Sequence, residues 1–155
     1  MDGSGCTRAS LREGFLAEHA SIVALLNAVI GAVGAGDDAR AAEAWRAFAS
    51  GLLAHLDAED GLLVSAPPQE RGARILVHEH RFIRGCVSEL ERAAGRRALS
   101  RRALENLRDV LSAHLRNDDR FLYTWAEDGL GERLREAALA ALGARLAAMS
   151  PPPAR

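Results

Sequence analysis

The chain has no lysine; all 20 of its basic residues are arginine. Together with abundant alanine, this reads as the coding bias of a GC-rich, bacterial genome and not as an arginine-specific function. Aromatic residues are only 5% of the chain against 48% apolar residues overall, a balance that favours helices over sheets. The two cysteines, Cys6 and Cys86, are too few for a disulfide framework, and two free thiols are expected. A formal net charge of −1 gives no electrostatic reason for a nucleic-acid or anionic-membrane partner. No window holds eighteen unbroken apolar residues and Met1 to Ser10 has no apolar run, so neither a membrane span nor a secretory signal is expected. The expectation is a soluble cytoplasmic protein, monomeric or weakly homo-oligomeric. Its 155 residues suit one domain with a continuous core.

What the chain does have is helical periodicity. Residues 1–9 read as a flexible lead, and Ser10 with Glu13 forms a capping-box signal. A first helix to about Val33 carries Leu11, Phe15, His19, Ile22, Leu26 and Val29 at three- and four-residue steps. Gly34 to Gly36 ends it, and Asp37 or Asp38 can cap a second helix over about 38–64. Pro67 and Pro68 break the chain before a third helix over about 68–94, which Gly95 stops. The fourth starts near Ser100 or Arg101 with the stripe Leu104, Leu107, Leu111, His114, Asp118, Phe121, Trp125. A fifth covers about 130–149, followed by a disordered tail, 150–155. Four long helices with short links predict an all-α, antiparallel up-down-up-down four-helix bundle over residues 10–127, with an additional C-terminal helix.

The stripes contain residues that do not belong in hydrocarbon. His55 and Glu59 lie four apart on one helix face, in line with Trp45, Phe48, Leu52 and Leu62. A buried unpaired carboxylate costs several kcal/mol or more, and a buried imidazole also needs partners. A divalent ion satisfies both. The pattern recurs: Leu52 to Asp60 aligns without gaps on Leu111 to Asp119, and Glu18-His19-Ala20-Ser21-Ile22 on Glu79-His80-Arg81-Phe82-Ile83. The chain is thus two copies of one helix pair, each supplying one histidine and one His-x-x-x-acid. In an up-down bundle His19, His55, Glu59, His80, His114 and Asp118 fall near one level. Nitrogen and oxygen donors without thiolate suit iron, manganese or zinc, and two carboxylates from two helices can bridge a metal pair.

Single histidines on the first and third helices, with His-x-x-x-Glu or His-x-x-x-Asp on the second and fourth, resemble the hemerythrin family, specifically its HHE cation-binding branch. The resemblance covers residues 10 to about 127. It implies a non-haem di-iron centre with an oxo or hydroxo bridge, Glu59 and Asp118 as bridging carboxylates, and O2, peroxide or nitric oxide as small ligands. The oxygen carriers of the family have a further histidine one turn before the position of His80, where this chain has Leu76. They also place the last acid five residues after its histidine, whereas Asp118 stands four after His114 and continues the stripe better than Asp119. Two irons short of protein ligands favour turnover over carriage. The expected activity is therefore peroxide disproportionation or O2-dependent oxidation of a small molecule, ahead of O2, nitric oxide or iron sensing through the last helix, or metal storage.

Each remaining polar residue has a plainer reading. His78 falls on another face and reads as surface or as support for a ligand. Asp57, Asp60 and Asp119 read as polar margin, from which any could reach a metal or orient a ligating imidazole. Glu18 and Glu79, each preceding a ligand histidine, suit either an orienting role or a solvated face. Cys86 reads as packing, and Tyr123 falls off the fourth stripe.

Overall fold

A computed structural model describes residues 10–66 and 71–149, and among these every regular element is helical. Helix α1 is Leu11–Gly34, α2 Asp38–Leu63, α3 Arg71–Gly95 and α4 Arg101–Asn117. The last runs on through a π-helical turn, Asp118–Tyr123, into α5, Thr124–Gly129; α6 is Glu132–Met149. The proline break, the N-terminal lead and the C-terminal tail expected from sequence lie outside the described residues.

Helix starts follow local chemistry. The side chains of Ser10, Asp37 and Ser100 accept hydrogen bonds from the backbone N–H groups of Glu13, Arg40 and Ala103 at 3.2, 3.0 and 3.1 Å. Each satisfies a donor the first turn leaves free. Gly36 takes φ +69° in the turn after α1, and Arg97 takes φ +53° in the turn between α3 and α4.

Helices α1 to α4 pack around the square, each against the next and α4 back on α1, while α6 lies across α1 and α2. This is an antiparallel four-helix bundle with an extra C-terminal helix. By length and composition α1 would also suffice to cross a bilayer, but its buried side chains, Glu18 and His19 among them, face the other helices.

The interior has three layers. One apolar cluster gathers Ile22, Leu26, Trp45, Phe48, Leu52, Ile83, Leu104 and Leu107. A second, at the opposite end, gathers Leu11, Phe15, Leu62, Leu76, Leu122, Tyr123, Ala126 and Leu142. Between them, on α1 to α4 and the π turn, fall the buried His19, His55, Glu59, His80, His114 and Asp118.

The fourth helix departs from expectation. Its stripe holds as far as Asp118, but the π turn admits one extra residue and rotates everything beyond. Leu122, Tyr123 and Ala126 are buried, while Phe121 and Trp125, expected inside, are only partly covered. A π turn exchanges i→i+4 for i→i+5 bonding, which a uniform 3.6-residue period does not foresee.

Candidate metal centre

Each inward group is placed by a helix face that also buries hydrocarbon. His55 and Glu59 stack between Leu52 and Leu62 on α2; His114 continues Leu104, Leu107 and Leu111 on α4, and Asp118 opens the π turn. The side chains meet from four directions. Glu59 turns its two oxygens to different helices: Oε1 is 3.3 Å from His55 Nε2, whereas Oε2 is 3.3 Å from His80 Nε2 and 3.8 Å from His114 Nε2. Asp118 Oδ2 is 3.2 Å from His114 Nε2 and 3.8 Å from His19 Nε2. The rings pair edge to face, His19 with His55 and His80 with His114, each at 4.9 Å between centroids.

Two sets of donor atoms result. His19, His55, Glu59 and Asp118 offer one set and Glu59, His80, His114 and Asp118 the other, with the atoms of each set all within 4.8 Å of one another. The inward atoms have little else to bind. His55 Nε2, His80 Nε2, His114 Nε2, Glu59 Oε2 and both oxygens of Asp118 are buried without a hydrogen-bond partner. Orphaned polar atoms in a packed core are uncommon, and six in one layer fit cations that the protein atoms alone do not supply. The centre is able to hold metal ions.

Outer groups aim the imidazoles. His55 Nδ1 is held by Glu18 at 3.1 Å, His80 Nδ1 by Asp60 at 2.6 Å and His114 Nδ1 by Glu79 at 3.0 Å. Such contacts select the tautomer that leaves Nε2 free and make it more basic. The acids are themselves anchored: Glu18 by Arg145 of α6 at 2.6 and 3.1 Å, Asp60 by Arg84 at 2.8 Å, and Glu79 by Asn117 at 2.6 Å. Of the two readings open for Glu18, its complete burial and this bond select the orienting one. Asp57 and Asp119 instead pair with Arg84 and Arg12 near the surface, and His78 is exposed.

The electrostatics are those of acids and imidazoles crowded into one buried layer. Burial, then Glu59 and Glu79, push the Asp118 carboxyl up to about 10. Burial would raise Glu59 too, but His55, His80, His114 and the Tyr123 hydroxyl outweigh it and hold it at about 2. His19 is depressed to about 3, by burial and then by repulsion from His55. Burial opposes the charged form of His80, yet Glu59 and Asp60 outweigh it and raise its pKa.

Tyr123 corrects the sequence reading. Far from lying off the buried face, it is fully enclosed, its ring stacked on Phe15 at 4.6 Å. Its hydroxyl donates to Glu59 Oε1 and lies 2.6 Å from His19 Nε2. Burial, with Glu59 and Asp118 nearby, raises its pKa well above the ordinary tyrosine value. Spacing gave no hint of this, because the π turn sets it. Arg145 had no signal either; its contact with Glu18 spans 127 positions.

Compared with known families, residues 10–126 match the model of the hemerythrin HHE cation binding domain. No curated protein and no solved structure matches the chain.

Proposed function

The chain belongs to the hemerythrin HHE cation-binding family, and from that membership we propose a non-haem di-iron protein that reacts with O2 or its reduced forms. His19 and His55 would hold one ion, His80 and His114 the other, and Glu59 and Asp118 would serve both. The supporting observation is that the two donor sets share both carboxylates, which suits a bridged pair better than one crowded ion. The all-nitrogen and oxygen donor set suits iron, with manganese or zinc as other occupants. When bound, a pair of irons supplies redox chemistry on O2 or peroxide, whether peroxide disproportionation or O2-dependent oxidation of a small molecule.

The protein's own residues shape that chemistry. Glu18, Asp60 and Glu79 fix three imidazoles by their outer nitrogens. The two apolar clusters keep bulk water from both ends of the centre. A groove of about 350 Å³ between α2 and α3 has Asp60, His80 and Arg84 in its wall, on the outer side of the His80 imidazole. Leu76, one turn before His80, is fully buried hydrocarbon and adds no donor.

The test is anaerobic loading with ferrous iron, metal analysis, then challenge with O2 or peroxide. Two irons per chain with peroxide consumption or O2 uptake are expected, and Glu59→Gln should lose the iron. A single zinc with no spectral response to peroxide would defeat the proposal. A second reading, sensing of O2, nitric oxide or iron, is favoured by the Arg145–Glu18–His55 chain, which connects α6 to a ligand imidazole. Ligand binding without turnover, accompanied by altered protease susceptibility of α6, would select it.

A further inference from the structure

The two internal copies support the centre by matching devices, with one exception. Glu18 holds the imidazole of α2 and Glu79 that of α4. Asp60, the residue after Glu59, holds His80. Its counterpart Asp119, the residue after Asp118, should hold His19 but pairs with Arg12 at 2.6 Å instead. Among the described residues no carboxylate takes that place on His19 Nδ1. What His19 meets is Tyr123, on its inward nitrogen. Counting the extra residue of the π turn, the first-copy residue at the position of Tyr123 is Leu63, whose side chain carries no polar atom.

From this asymmetry we infer that the phenol oxygen of Tyr123 is a further donor to the ion held by His19 and His55, which leaves the His80/His114 ion as the one open to small ligands. The inference rests on the paired-metal reading above. Two donors on one ion, each ~2.1 Å from it, stand about 3 Å apart. The phenol oxygen lies 2.6 Å from His19 Nε2 and within hydrogen-bond reach of Glu59 Oε1, while His55 Nε2 is 3.3 Å from that same Oε1. The oxygen thus occupies a corner of the polyhedron those donors outline. On metal uptake it gives a lone pair to the ion, and its proton leaves to solvent. The π turn starts at Asp118 and ends at Tyr123, so the extra residue admitted after one ligand brings a second oxygen inward. Phe15, stacked on the ring, keeps it aimed. On the other ion's side Leu76 offers no such atom.

Ferric iron bound to a phenolate absorbs visible light by charge transfer, which carboxylate and imidazole ligands do not reproduce. The test compares ferric wild type with Tyr123→Phe, measuring iron per chain and absorbance. A visible band in the wild type that disappears in the variant, both holding two irons, is the expected result. Superimposable spectra at two irons each would overturn the inference and leave the di-iron reading standing; failure of the wild type to take up iron overturns both. Should the variant misfold or lose metal, resonance Raman of the wild type decides. Enhancement of tyrosine ring modes on excitation in the band supports the inference, and its absence overturns it.

Discussion

Replacing Asp118 by Asn should change how the metal-free protein responds to pH. The Asp118 carboxyl is fully buried with both oxygens unpartnered, and its pKa moves from 3.8 to about 10. A carboxyl raised in this way contributes its stability in full below the unfolded pKa and loses it as pH climbs toward the folded one. The loss is roughly 1.4 kcal/mol per pH unit, so the step from pH 7 to 8.5 removes about 2 kcal/mol. In a chain of this size that is about 4–8 °C in Tm. Other groups leave the window readable. His19 and His114, lowered mainly by burial from 6.5, are neutral in both states above that pH, and Glu59, at about 2, is ionised in both. His80, raised because Glu59 and Asp60 outweigh burial, loses stability in the same direction as Asp118. Thermal melts of apo protein by circular dichroism should therefore fall from pH 7 to 8.5. Asp118→Asn should retain only the smaller slope due to His80. Iron loading, which requires the carboxylate, should reverse the trend. A flat or rising wild-type curve, or an Asn variant with the full slope, would refute the reasoning.

Other perturbations separate ligands from their surroundings. Asp60→Asn should keep the fold but weaken iron binding by about 10–100-fold, read by competition with a chelator, because it loosens His80 at Nδ1. Asp119→Ala should leave two irons bound, since that side chain hydrogen-bonds Arg12 and acts on His19 only through space; loss of iron would move the ligand from Asp118 to its neighbour. Leu104→Ala, in the apolar cluster away from the metal layer, should cost about 2–5 kcal/mol in apo and loaded protein alike, with iron content unchanged. Gly72→Ala would put a Cβ 2.6 Å from Phe121 Cβ, and pushing the π turn aside should cost about 1–3 kcal/mol; an unshifted melt would show that turn to be compliant.

Much of this protein follows from spacing within single helices. The three N-caps, the glycine stops and the stripes through His19, His55, Glu59, His80, His114 and Asp118 are local, and a regular 3.6-residue period carries residues onto one face without reference to any partner. The duplicated His-x-x-x-acid segments made a convergent site legible before any contact between helices was known. What the tertiary structure decided lies where the period breaks or the contact is distant. Tyr123 is inside because one extra residue after Asp118 rotates the helix, and a backbone that trades one hydrogen-bonding pattern for another does so in response to what packs around it. Arg145 reaches Glu18 because α6 folds back over α1 and α2, and the choice between a solvated and an orienting role for Glu18, Asp60 and Glu79 depended on which imidazole stood opposite. Periodicity places a side chain on a face; only packing determines what that face meets.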